Sequence, residues 1–436
     1  MKLYSDLIDS GYTWIGKIPR EWRIERGKNI LTLLDRPTKE DDEVITCFRD
    51  GEVTLRKNRR EDGFTFSEKE IGYQGINPGD LVVHGMDGFA GAIGLSDSRG
   101  KASPVLIVMD SYENKKYLMY YLRAMAYRDV FIGLSTGVRV RSCDLRWNKL
   151  SVFPFIVPSK KEQDGIVHYL DNKIVEINNL IIEAKAAVED YKALKQSIIT
   201  QAVTKGINSN TEMIDSGIPQ VGLIPKHYQI ASIRWLLSLL TDYTANGSFG
   251  DLAKNVNYLD APDYARLVRL TDLRVNFEND GVYVNEHAYS YLRKSSLYGG
   301  EILLANVGAY AGLAVEMPHV SFRATLGPNM FLIKTDTTKW DQHFAFYSLN
   351  GNYSRTQLIM RANNTTAQPK LNKDDLKATK VILPPISEQI KISAYLDNVC
   401  PKLDGLISEK EKLISDLENY KKSIIYETVT GKRKVM

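Results

Sequence analysis

A chain of 436 residues, 43% hydrophobic and 25% charged, has ordinary globular composition and the length for about two to four domains. Its apolar runs are too short and too mixed to cross a bilayer, and the opening MKLYSDLIDSGYTW lacks the apolar stretch of a secretory signal, so a cytoplasmic protein is expected. Three scattered cysteines give no disulfide framework and no paired metal spacing, and a net charge of +4 permits an acidic partner without demanding one.

Taken in order, the chain states each of its parts twice. The phrase Ile8-Asp9-Ser10-Gly11, followed by Gly16-Lys17-Ile18-Pro19, returns 206 residues later as Ile214-Asp215-Ser216-Gly217 and Gly222-Leu223-Ile224-Pro225. After the first phrase come short β-rich runs, Val44–Phe48, Leu81–Val83 and Val105–Val108, set between turn signals such as Asp50-Gly51 and Asn77-Pro78-Gly79-Asp80. After the second phrase the outline is the same, with Leu267–Leu270, a turn at Asn279-Asp280-Gly281, and Gly299–Leu304 in the place of Pro78–Val83. Each stretch predicts a compact mixed α/β domain, and the second is about 20 residues longer, the difference between the separations of 206 and 226 that bracket it.

Each domain is followed by a helical stretch. Pro158–Thr204 and Pro384–Thr430 align without gaps at a separation of 226, with 18 identities in 47 positions. The first carries an apolar row at Leu170, Ile174, Ile177, Ile181, Ala184, Val188, Tyr191, Leu194, Ile198 and Ala202, spaced by threes and fours. The second carries the equivalent row from Leu396 to Thr428. Two narrow stripes of equal length make each helix the natural partner of the other. Pro401, standing where the first copy has Val175, leaves open whether the second helix divides there into a short and a long piece or runs on.

Catalytic machinery is not legible. The glycines of Gly85–Gly94 have the wrong spacing for a dinucleotide loop, and no G-x-x-x-x-G-K-[ST] occurs, so the loop reads as a tight turn. Pro384-Pro385 follows Leu383 and does not complete the box of an amino-methyltransferase. Six histidines without an H-x-x-x-H pair point to no metal site. No nucleophile or acid/base pair stands out, and the expectation is a noncatalytic chain without a cofactor.

Several surface groups have the chemistry to hold nucleic acid. Arg56, Lys57, Arg59 and Arg60 cluster after a strand, and Arg139 and Arg141 lie late in the same domain. In the second domain the candidates are Arg266, Arg269, Arg293 and Lys294, then the polar run containing Asn363, Asn364, Gln368 and Lys370. Lysine and arginine neutralise phosphates, arginine forks onto guanine, and Asn or Gln pairs with adenine. A merely solvated charged hairpin explains the first cluster equally well, and an ordinary polar loop explains any one member of the second set.

The whole pattern resembles the specificity subunit of Type I restriction-modification systems. The resemblance rests on IDSGYTWIGKIPREW (8–22) and IDSGIPQVGLIPKHY (214–228), on FIVPSKKEQDGIVHYLD (155–171) and ILPPISEQIKISAYLD (382–397), and on SIITQAVTKG (197–206) and SIIYETVTGK (423–432). It implies an α+β fold with target recognition domains at 1–157 and 207–383 and helical spacers at 158–206 and 384–436. The spacers would form an antiparallel coiled coil with internal pseudo-two-fold symmetry. It implies double-stranded DNA as ligand, each domain reading half of a bipartite site, and two methyltransferase and two motor-nuclease subunits as partners. S-adenosylmethionine, ATP and Mg would then belong to those partners. Candidate docking residues are Glu162, Gln163, Tyr169, Leu170 and Asp171, with their repeats Glu388, Gln389, Tyr395, Leu396 and Asp397. A specificity subunit of a related Type II-like or phage-exclusion methyltransferase is the alternative.

Overall fold

A computed structural model describes residues 3–59, 70–133, 145–208, 210–362 and 368–435. The fold is α+β, and the chain divides into two compact units, Met1–Lys185 with Glu411–Met436, and Ala186–Lys410. Both boundaries fall inside long helices. Each unit is therefore a β-rich domain with a length of two helices, one leaving that domain and one arriving from elsewhere in the sequence.

In the first unit the central sheet is antiparallel, with strands β1 (Thr32–Leu33), β2 (Leu81–His84), β3 (Ile93–Leu95) and β4 (Leu106–Asp110) in the order β1-β4-β2-β3. Alternate side chains go to opposite faces, as the period of two requires. Leu81, Val83, Ile107 and Met109 join the core under helix α1 (Lys115–Ala126), while Val82, Leu106 and Val108 pack on the hairpin of Ile45–Cys47 and Val53–Leu55. Both faces are covered, which is why these strands read as unbroken apolar runs. The chain leaves the domain through helix α2 (Lys160–Lys205).

The second unit repeats the plan. Strands β5 (Leu237–Asp242), β6 (Ile302–Ala305), β7 (Ala314–Glu316) and β8 (Met330–Thr335) lie in the order β5-β8-β6-β7. Ile302, Leu304, Phe331 and Ile333 face one core, and Leu303, Met330 and Leu332 face the other. Among the helices of this domain are the short α3 (Phe249–Asn255), in the connection after β5, and α4 (Gln342–Asn350), the counterpart of α1. The connection from β5 to the next strand, Ala265–Val268, is longer than that from β1 to Ile45–Cys47, and α3 occupies this extra length.

Helix α5 (Ile386–Val429) runs through Pro401 without a break, which answers the question left open at that proline. Proline removes one backbone bond, and a helix of 44 residues held by tertiary contacts on both sides of that point keeps its course. Helices α2 and α5 pack together. In the first unit Lys421 Nζ donates to Asn178 Oδ1 at 3.0 Å, and in the second Lys195 Nζ sits 2.7 Å from the Asp404 carboxylate. The apolar row is buried at Ile177, Ile181, Ala184 and Val188, but Leu194 and Tyr420 are nearly half exposed. Near the ends burial passes to Ile199, Ala202 and Val203, and to Ile424, Ile425 and Val429, which join the domain cores. The stripe is thus a seam only along its middle, because the ends face a domain and not a helix.

Candidate nucleic-acid interface

The repeated polar phrase joins helix to domain. Gln163 is fully buried and accepts the backbone amide of Asn114 at 2.9 Å, and Gln389 accepts that of Asp341 at 2.8 Å. Asn114 and Asp341 are the residues that cap α1 and α4 with their own side chains. The two amide nitrogens donate inward, to Glu113 and the Pro158 carbonyl in one copy, and to the Lys339 and Pro384 carbonyls in the other.

The neighbouring carboxylates act in parallel. Glu162 accepts from Tyr4 and from Trp22 Nε1, both at 3.3 Å, and Glu388 accepts from Tyr228 at 2.9 Å beside His227 at 2.7 Å. Asp171 takes Tyr120 and Lys116 from adjacent turns of α1, as Asp397 takes Tyr347 and His343 from α4. Burial and these carboxylates both push the Tyr120 and Tyr347 hydroxyls above their ordinary range.

For four of the ten docking candidates the expectation is corrected. Gln163, Leu170, Gln389 and Leu396 have no exposed surface, so no partner can touch them. Glu162, Asp171, Glu388 and Asp397 spend their hydrogen bonds on their own domain. Tyr169 accepts from Arg433 at 3.3 Å, and of the ten Tyr395 and Asp397 are the exposed ones.

At the opposite end of β4, where the strand begins, the first unit opens into a cleft of about 980 Å³. Arg49, Arg56, Arg59, His84 and Asp87 line it. Arg59 stacks 4.4 Å over Phe48 and is tied to Asp50 at 2.5 Å and Glu52 at 3.0 Å. Arg49 pairs with Asp87 at 2.9 Å, Arg56 Nε reaches Thr46 at 3.4 Å, and Lys57 meets Glu43 at 2.6 Å. His84 Nδ1 accepts the Asp87 amide at 3.0 Å, and burial lowers the imidazole below its ordinary value against the pull of Asp87. The same burial pushes the Cys47 thiol up to about 12, leaving it unreactive. The glycine-rich turn after β2 serves packing: Gly91 sits at φ +95°, and a Cβ at Gly94 would strike the Gly51 carbonyl.

The second unit has its cleft, about 630 Å³, at the equivalent place. Asn306 and Val307 follow β6 as Met86 and Asp87 follow β2, and Pro328 to Phe331 lead into β8 as Ser103 to Leu106 lead into β4. The chain that returns past the cleft is bound alike in both. Leu145 donates its amide to the Gly85 carbonyl at 2.9 Å, and Leu371, 226 residues later, donates to that of Asn306 at 2.8 Å. The lining differs. Phe249, Tyr258, Thr244, Asn329 and Lys370 surround the second cleft, and Lys373 on its floor pairs with Asp242 at 2.9 Å.

Among the predicted residues, Arg56 and Arg59 share the first cleft, with Lys57 beside it, and Lys370 lines the second with the exposed Gln368 two residues before it. Arg60, Arg139, Arg141, Asn363 and Asn364 lie outside the described residues. Arg293 and Lys294 are exposed, the latter donating to the Ala245 carbonyl at 3.1 Å. Arg269 caps a short helix through Asp272. Burial raises the Asp272 carboxyl, but Arg269 and Asn279 hold it below its usual value. Arg266 is a correction: only 6% exposed, it bonds Asp272 and Asn279 and stacks near Phe277, Tyr283 and Phe322, so it cannot reach a ligand. Sequence reasoning missed Arg49, Phe249 and Tyr258, and the extra length of the second stretch was the available signal for the latter two.

The comparisons agree over nearly the entire chain. A family profile for the Type I restriction modification DNA specificity domain matches residues 277–415. The MjaVIII specificity subunit of a type I restriction enzyme from Methanocaldococcus jannaschii is 22% identical over 96% of this chain and 94% of its own. The EcoKI specificity subunit of Escherichia coli K12 is 18% identical over 95% and 90%. The chain is similar over nearly its whole length to specificity subunits of Type I restriction-modification systems. Its fold matches a solved chain from an assembled type I R-M system with a TM-score of 0.69 at 12% identity, over 94% of this chain and 98% of that one. The HsdS subunit from Thermoanaerobacter tengcongensis matches at 0.50 and 14%, over 98% and 100%. A specificity subunit is a noncatalytic component of such a system. Among the described residues no group of His, Cys, Asp and Glu is placed to hold a metal ion, and no helix is long and apolar enough to cross a membrane.

Proposed function

We propose that this specificity subunit reads a bipartite site in double-stranded DNA, each domain reading one half through its cleft. The occurrence of clefts at the equivalent end of two equivalent sheets carries this reading. The lining of the first, Arg49, Arg56 and Arg59, has the chemistry for phosphates and guanine edges. The ion pairs of Arg59 with Asp50 and Glu52 are exposed and therefore cheap to exchange for DNA. The long helices set the distance between the half-sites and receive two methyltransferase subunits, for which the exposed Tyr395, Val175, Ile182 and Ile390 offer apolar contact. S-adenosylmethionine, ATP and Mg are used by the methyltransferase and motor-nuclease subunits.

Mapping methylated adenines in DNA exposed to this chain together with its methyltransferase subunits tests the reading. The expected result is methylation at one split sequence with a fixed gap. Methylation without sequence preference overturns it.

A further inference from the structure

The cleft of the second unit differs from that of the first in chemical kind, and the difference is concentrated on α3. Leu252 and Val256 bury this helix against the domain, and Ser248 caps it by accepting the Asp251 amide at 3.2 Å. Nothing in that anchoring requires an aromatic residue at 249. Phe249 nevertheless stands 81% exposed at the mouth of the cleft, with Tyr258 52% exposed in the same lining. An aromatic side chain has only two rotatable side-chain bonds, so ordering Phe249 against a ligand costs little entropy for the apolar area it offers. Lys370 in the lining and the exposed Lys254 on α3 put positive charge beside this apolar surface, which suits a polyanion and opposes a purely apolar occupant.

In the major groove the chemical group that such a surface distinguishes is the thymine 5-methyl, the one apolar feature among the base edges. We propose that Phe249, supported by Tyr258, is a specificity-determining residue that reads an A·T pair of the second unit's half-site through the thymine methyl. The inference rests on the reading above and extends it. The two units then read their halves by unlike means, polar fork contacts in the first cleft and apolar contact in the second.

The test uses the complex of this chain with its methyltransferase subunits, and duplexes of the mapped site in which each thymine is replaced in turn by uracil, which lacks only the methyl. At one position uracil is expected to weaken binding about fourfold, the effect of one buried methyl-sized group. Phe249→Ala is expected to weaken binding to the thymine duplex by about the same factor and to be indifferent to uracil there. A uracil penalty undiminished in Phe249→Ala, or no thymine-sensitive position at all, overturns the inference while sequence-specific binding stands. Binding by the unsubstituted complex that ignores sequence altogether overturns the underlying reading and the inference with it. Because Phe249 is so exposed, the variant retains its fold, and an unchanged thermal midpoint verifies this.

Discussion

His343 Nε2 lies 2.7 Å from an Asp397 oxygen while its Nδ1 lies 3.1 Å from Glu316. One imidazole thus links α4 to β7 on one side and to the start of α5 on the other. The hydrogen bond to Glu316, with help from Asp397 and against desolvation, raises its pKa to about 9 from an ordinary 6.5. A group whose folded value is raised adds stability that is complete below the unfolded value and disappears as pH climbs through the folded one. The thermal midpoint of the unsubstituted chain should therefore exceed that of His343→Gln most clearly below pH 6.5, and the gap should close by about pH 9. Melting both proteins across that range checks the sign.

Removing a buried glutamine lock leaves its partners stranded. Gln163→Ala orphans the Asn114 amide and one oxygen of buried Glu113, and Gln389→Ala orphans the Asp341 amide. Each change should cost about 1–3 kcal/mol in urea unfolding. Near-zero cost for both would show that the lock is not a structural element.

Arg266 and Arg59 should separate stability from DNA binding. Arg266→Ala leaves Asp272, which has no exposed surface, short of one cation, and should destabilise by about 3 kcal/mol, the low end for a broken buried pair because Arg269 remains. It should leave the salt dependence of DNA binding unchanged. Arg59→Ala should do the reverse, with little loss of stability and a log–log salt slope smaller by about one.

Pro401 is exposed in the interior of α5. Pro401→Ala restores a backbone donor and should stabilise the chain by up to about 3 kcal/mol, read as a rise in thermal midpoint. No rise would mean that the surrounding contacts already absorb the missing bond.

The repeat made most of the fold legible before any coordinates. Strands such as Leu81–His84 announced themselves because both faces are buried, and the paired helices because their apolar rows match. The course of the helix at Pro401 was not legible, because local propensity there is overridden by tertiary contacts along a long helix. The roles of Gln163 and Gln389 were not legible either, since a polar residue on a helix reads as surface until its partner, the capping amide of a distant helix, is seen. Arg266 failed for the mirror-image reason: its aromatic cage comes from residues 277, 283 and 322, and nothing local marks it as core. Phe249 escaped notice because a lone exposed aromatic is common in any sequence.

The cleft opens where β4 begins, at Leu106, and the glutamine lock engages just past its end, at Asn114. In the second unit Met330 and Asp341 bear the same relation to β8. Five strand residues in the first unit and six in the second, roughly 17–20 Å, insulate the cleft from the joint. Side chains lining the cleft can therefore change without disturbing the glutamine joint, as the unlike linings of the two clefts above like joints illustrate. A lineage gains a new word without redesigning the grammar that holds it.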